Sequence, residues 1–252
     1  LLGRILGHHR KDIVLASKFG LPMGEGPYLN GAGRHYIMRA VEDSLRRLRT
    51  DHLDLYQVHR PDPATPIEET LRALDDLVRD GKVRYVGCSN FAGWQLAEAE
   101  WAARAGGTVR FISAQNEYSL VDRRIEGDLV PAANAYGVGI LPYFPLANGL
   151  LTGKYQRNHA MPDGARMTER PTRAEEVLTD RNWTIAEKVA DYAAARGHSL
   201  LEAAIGWLAS QDHVPSVIAG ATTAEQVAQN AAAADWRMTA EEIADINALS
   251  DL

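Results

Sequence analysis

Lys18 and His59 are the residues of this sequence best placed to move or steady a proton. Each closes a short run of β-formers, Asp12-Ile13-Val14-Leu15-Ala16-Ser17-Lys18-Phe19 and Leu53-Asp54-Leu55-Tyr56-Gln57-Val58-His59. Each run gives way to a loop punctuated by glycine or proline. A helix-like stretch separates the two runs. Both side chains therefore stand at the C-terminal ends of strands in a β/α alternation, where such folds gather their chemistry. An imidazole exchanges protons near neutral pH, and an ammonium supplies a positive charge beside it. A single strand-end histidine is equally well a structural residue. The second titratable group in the same topological place argues for function.

The same rim should receive Ser89-Asn90, Gln115, Tyr143 and the loop Gly220-Ala221-Thr222. Ser89, Asn90 and Gln115 are neutral hydrogen-bonding groups suited to an amide or hydroxyl ligand. Tyr143 offers an aromatic face on which a flat ring can stack. Gly220 to Thr223 precede a helix whose first turn presents free N–H groups, a natural anion site. An amide reader, a stacking surface and an anion site together suggest a nicotinamide dinucleotide. No G-x-G-x-x-G run follows the first strand, so a Rossmann unit is not the expected holder. Glu117 and Asp122 fall on a strand end and in a turn, which argues against an acid/base pair, and no histidine or carboxylate set has metal-ligand spacing.

The elements that would position these groups alternate along the chain. Strands are expected at Asp12–Phe19, 53–59, Val83–Asn90, Phe111–Tyr118, Val138–Leu146 and Ser216–Gly220. A Gly/Pro-rich loop covers 20–33, including Pro22, Gly24, Gly26, Pro27 and Gly31. An amphipathic helix is expected over 34–49, with Ile37, Ala40, Val41, Ser44, Leu45 and Leu48 on one face. Another opens at Thr65-Pro66 and ends at Asp80-Gly81. Further helices are expected over 93–105, 125–136, 184–196, 200–211, 224–233 and 239–249, with 155–180 as an insertion loop. About six strands, each followed by a helix, predict a parallel sheet with helices outside, and a (β/α)8 TIM barrel is favoured over an open doubly wound sheet.

With 252 residues, 46% of them hydrophobic, the chain can build a sizeable core as one barrel domain over 1–252. Its net charge of -6 and lack of a basic stripe argue against a nucleic-acid partner. No apolar run is long enough to span a membrane. The one cysteine, Cys88, permits no internal disulfide and fits a reducing, cytoplasmic setting. The opening Leu1-Leu2-Gly3-Arg4-Ile5-Leu6-Gly7 reads as the last turns of a helix without a cap or initiator, which predicts an N-terminally truncated barrel lacking its first one to two βα units. Such a chain would expose sheet edges and be unstable or inactive alone.

Asp12–Phe19, Leu53–Asp62, Gly87-Cys88-Ser89-Asn90-Phe91, Gln115-Asn116-Glu117-Tyr118-Ser119 and Tyr143–Lys154 resemble consecutive landmarks of the aldo/keto reductase family, in order and spacing, over nearly the whole chain. The resemblance implies a (β/α)8 barrel that binds NADP(H), or less often NAD(H), in extended form and reduces small aldehydes or ketones to alcohols. The family works with an Asp, Tyr, Lys and His tetrad. Lys18 matches its lysine and His59 its histidine. The Asp and Tyr have no match here, and neither Tyr28 in its loop nor Tyr56 inside its strand fits the vacant role. Ser89, Asn90 and Gln115 match the residues that hold the carboxamide, and Tyr143 the residue stacked under the nicotinamide. Leu146, Gly149, Leu151, Gly153 and Lys154 match the loop that crosses the pyrophosphate. Phe144 departs from the serine frequent there. Gly220, Thr222, Gln226 and Asn230 match the final loop and helix around the adenosine. No Lys or Arg lies in 217–230, where NADP-selective members often carry one, so Lys154 or Arg157 would have to reach the 2′-phosphate. The resemblance also implies an alternative, a nucleotide-binding regulatory subunit like the potassium-channel β subunits.

Overall fold

The computed structural model describes residues 1–26 and 28–251, so Pro27 of the expected loop and the terminal Leu252 lie outside the described residues. The chain divides into two compact units, described in turn: Leu1–Asn116 with Glu126–Ile140, and Glu117–Ile125 with Leu141–Leu252.

In the first unit a short helix α1 (Leu2–Ile5) precedes β1 (Ala16–Phe19), α2 (Arg34–Leu48), β2 (Leu53–Val58), α3 (Ile67–Arg79), β3 (Val83–Ser89), α4 (Gly93–Gly106), β4 (Ser113–Gln115), α5 (Leu129–Tyr136) and β5 (Gly139–Ile140). The strands form one sheet in the order β1-β2-β3-β4-β5, every pair parallel. Parallel neighbours need a crossover, and the helices between successive strands supply it. β2 is buried along its whole length, as a central parallel strand should be. Its two polar residues must then find partners. Asp54 accepts from the Leu15 N–H at 2.9 Å and pairs with Arg10 at 2.8 Å and Arg84 at 2.9 Å. Gln57 is answered by side chains of β4, described below. α2 buries Tyr36, Ile37, Ala40, Val41, Ser44 and Leu45, so Tyr36 joins the expected apolar face.

The second unit contains α6 (Pro171–Val177), α7 (Asp180–Ala194), α8 (Leu200–Ala209), α9 (Ala224–Ala232) and α10 (Ala240–Ser250). α8 is its core: seven of its residues are buried, and Trp207 donates its indole N–H to Asn247 Oδ1 at 3.0 Å. A capping box at Ser199 and Glu202 starts this helix, and another at Thr239 and Glu242 starts α10.

Several expected boundaries are corrected. Residues Gly7–Asp12 form a 3-10 turn, and the first strand begins only at Ala16, because the Leu15 N–H is taken by the Asp54 carboxylate rather than by a ladder. The expected strands 111–118 and 138–146 shorten to β4 and β5, the second halted by Pro142 and Pro145, which have no N–H to give. Residues 216–220 form no strand or ladder among the described residues. One bond, from the Ile218 N–H to the Pro142 carbonyl at 3.0 Å, ties them down. The insertion 155–180 holds a helix, α6, started by a proline at its first position.

Candidate functional site

In the first unit the expected residues come to one end of one sheet. Lys18 pairs in register with Gln57, and Ser89 with Gln115. The His59 N–H continues the ladder past β2 to the Phe19 carbonyl at 2.8 Å. Alternation sends Ser17, Phe19 and Tyr56 to the side facing α2: Ser17 meets Ser44 of α2 at 3.2 Å, and the Phe19 and Tyr56 rings lie 4.9 Å apart. Lys18 and Gln57 therefore share the opposite face, and His59, two residues beyond Gln57, joins them.

Burial works against the charged form of both bases at this end. Burial pushes the Lys18 ammonium below its ordinary value, and Lys18 has no acidic partner among the described residues. His59 is held below the usual histidine range by burial first, then by the neighbouring charges of Lys18 and Arg60. Tyr56 is fully buried on the other face, and burial pushes its phenol far up. Tyr28 is 64% exposed in its loop, edge-on to His35. Neither phenol stands beside Lys18.

Asn90 occupies the left-handed region, φ 60°, a turn that an asparagine tolerates better than most residues. From there its Nδ2 donates to the His59 carbonyl at 2.9 Å and to Ser89 Oγ at 3.1 Å. Ser89 Oγ donates to the Gln115 carbonyl at 2.7 Å, and the Asn90 N–H reaches the same oxygen at 3.1 Å. The expected trio is thus one bonded group braced against the histidine strand.

Sequence reasoning missed Gln57 and Ser113 in this group. Ser113 Oγ donates to Gln57 Oε1 at 3.3 Å, and Gln57 Nε2 donates to Gln115 Oε1 at 2.8 Å. The readable signal was a glutamine inside a buried strand facing Gly87 on the next strand.

In the second unit the loop after Pro142 is sharply folded. Phe144, Ala147 and Asn148 have positive φ, and Gly149 (φ 104°) is bent where a Cβ would sit 2.9 Å from Lys154 Cε. Tyr143 is half-buried, and burial, then Glu117 and Asp122, push its phenol up. The Phe144 ring meets Tyr143 edge-on and lies under the guanidinium groups of Arg166 at 5.1 Å and Arg173 at 5.5 Å. Leu151 is buried in the core, while Gly153 and Lys154 are exposed. Glu117 pairs with Arg173 and Asp122 with Arg124, so these carboxylates are ion-paired. Arg157 is engaged by the Asp180 carbonyl and Thr184 Oγ1. Lys154 and Arg166 have no acidic partner among the described residues; the Lys154 ammonium sits 5.0 Å over the Tyr155 ring.

The Ile218–Pro142 bond brings the final loop alongside Tyr143. Thr223 caps α9 by accepting from the Gln226 N–H. Gln226 Oε1 in turn accepts from the Thr222 N–H at 2.8 Å and Oγ1 at 3.1 Å. Gly220, Thr222 and Gln226 are exposed and Asn230 is half-buried on α9, which contributes no buried residue.

Residues 1–251 match the sequence model of the Aldo/keto reductase family. The chain is 34% identical over 245 residues to the "Uncharacterized oxidoreductase YrpG" of Bacillus subtilis, covering 96% of this chain and 73% of that protein. It is 36% identical over 234 residues to a "Probable voltage-gated potassium channel subunit beta" of Oryza sativa subsp. japonica, covering 92% of this chain and 71% of the relative. It is 31% identical over 258 aligned positions to the L-glyceraldehyde 3-phosphate reductase of Escherichia coli K12, covering 98% and 72%.

Proposed function

The chain belongs to the aldo/keto reductase family, oxidoreductases of (β/α)8 fold that act on small carbonyl compounds and typically use nicotinamide cofactors, and from that premise we propose that it reduces an aldehyde or ketone to an alcohol at the end of β1 and β2, using NADP(H) in preference to NAD(H). The observation that carries this reading is the convergence of Lys18 and His59 on one face of the sheet, with Ser89, Asn90 and Gln115 bonded beside them.

The residues fit a nicotinamide cofactor. Gln115 is 5% exposed, yet its amide nitrogen has no partner among the described residues, which is what a carboxamide-binding group requires before its ligand arrives. Tyr143 would stack on the ring. The main chain of Phe144, Leu146, Gly149, Leu151 and Gly153, and the Lys154 ammonium would hold the phosphates. Gly220, Thr222, Gln226 and Asn230 would take the adenosine end. The cofactor, when bound, supplies hydride to the carbonyl carbon. His59, neutral at physiological pH, donates an N–H to the carbonyl oxygen and orients it. The Lys18 ammonium stabilises the charge that develops on that oxygen and relays to it, from solvent, the proton that completes the alcohol. Removing either group should lower turnover by about 100-fold or more, the scale of positioned acid–base groups.

The test is NADPH oxidation by the protein over a panel of aldehydes and ketones, with Lys18→Ala and His59→Ala beside it. Equal rates in all three proteins overturn the assignment. A nucleotide-binding regulatory role is the second reading, favoured by the potassium-channel relative and by the lack of a carboxylate on Lys18 among the described residues. Tight NADPH binding with no turnover of any carbonyl compound would select it.

A further inference from the structure

Gln57 stands on β2 between Lys18 of β1 and Gly87 of β3, its partners in register. Gly87 is paired in turn with Ser113 of β4. Because Gly87 has no side chain, nothing separates Gln57 from β4. A Cβ at Gly87 would collide with Ser113 Oγ and lie 3.3 Å from Gln57 Cγ. The glycine is the gap through which a β2 side chain reaches across one strand to the next.

The hydrogen bonds that cross that gap run one way. A hydroxyl gives one hydrogen, and Ser113 gives it to Gln57 Oε1 at 3.3 Å. With its carbonyl so engaged, Gln57 turns its amide nitrogen to Gln115 and donates to Oε1 at 2.8 Å. Gln115 Oε1 is thus engaged inside the sheet, and its Nε2 hydrogens remain to face a ligand. The main-chain carbonyl of Gln115 is held separately by Ser89 Oγ and the Asn90 N–H. A row of hydrogen bonds pointing one way strengthens its last donor.

We propose that Gln57, backed by Ser113, is a positioning residue for the cofactor: it locks the Gln115 amide so that Gln115 meets the nicotinamide carboxamide as a donor to its oxygen. Without Gln57 the Gln115 amide would be free to turn over and present its carbonyl instead. The proposal rests on the reading that this strand end binds a nicotinamide dinucleotide.

The experiment is a fluorescence titration with NADPH of four folded proteins: wild type, Gln57→Met, Gln115→Ala and the double variant. Gln57→Met keeps the volume and removes the amide. Loss of one neutral hydrogen bond predicts that each single variant binds about fivefold more weakly. The double variant should be no weaker than Gln115→Ala, because Gln57 acts only through Gln115. Wild type should also bind the 3-acetylpyridine analogue, which keeps the oxygen, better than the thionicotinamide analogue, and Gln57→Met should lose that discrimination. Additive losses with unchanged analogue preference would make Gln57 a packing residue and overturn the proposal. If Gln57→Met fails to fold, Ser113→Ala carries the same test, with the same expected loss of discrimination. A wild type that binds neither NADPH nor NADH would instead sink the cofactor reading itself. Binding by wild type with Gln57→Met and Ser113→Ala indistinguishable from it would sink only the positioning role.

Discussion

His59 is uncharged at neutral pH because β2 leaves it at a half-buried edge with Lys18 and Arg60 as its charged neighbours. That state has a measurable cost on the acid side. The unfolded chain takes up a proton at about pH 6.5, whereas the folded chain resists it until a lower pH. Between those two values the unfolded state binds more protons, so stability there falls as the pH falls. His59→Gln removes the titration. The difference in urea midpoint between wild type and His59→Gln should be constant above about pH 7 and move against wild type below about pH 6.5. A difference independent of pH would mean that the site does not depress the imidazole. Lys18 and His59 were legible because period-two alternation and the strand ends place them without knowledge of any neighbour. Gln57 was not legible in the same way. Its importance depends on the missing side chain of Gly87 and on the register of β4, both of which are tertiary facts.

The elements that carry these residues differ in how well the sequence announces them. Helices state their own limits through caps and period, and α2, α3, α4, α8 and α10 lie within about two residues of expectation. Strands end where their partners end, so the β-rich runs at 12–19, 111–118 and 138–146 overstate β1, β4 and β5. The run Ser216–Gly220 has strand composition yet only one main-chain bond to Pro142, since composition specifies an extended chain and not a neighbour. α6 is seven residues long, too short for a period to show. At this scale Gly87 is the sharpest point of failure. Gly87→Ala would push a methyl group into Ser113, whose main-chain oxygen would lie 2.9 Å from it. Overpacking of this kind costs about 1–3 kcal/mol, and here it would also spread β3 from β4. Chemical denaturation should show that loss, and nucleotide affinity should fall with it. An alanine variant with wild-type stability and affinity would mean that the β3–β4 contact is slack and the gap unimportant.

For the molecule as a whole, the puzzle is how a chain with a net charge of -6 would hold a multiply charged dinucleotide. Long-range attraction is unfavourable, so local cations must supply it. Residues 217–230 contain none, and Arg157 is engaged by Asp180 and Thr184. Lys154 and Arg166 are exposed, carry no acidic partner among the described residues and flank the folded loop that follows Tyr143. They are the cations available for phosphate. A ligand that binds only the folded state at 100 times its dissociation constant adds about 2.7 kcal/mol. For a chain of this size that corresponds to a rise in Tm of about 5–10 °C. Calorimetry should therefore show NADPH raising Tm by that amount and NADH by less at equal concentration. Lys154→Ala and Arg166→Ala should shrink the NADPH shift more than the NADH shift, because only the 2′-phosphate distinguishes the two nucleotides. Equal shifts with both nucleotides, unaltered in both variants, would remove these cations from the site and the preference for NADP(H) with them.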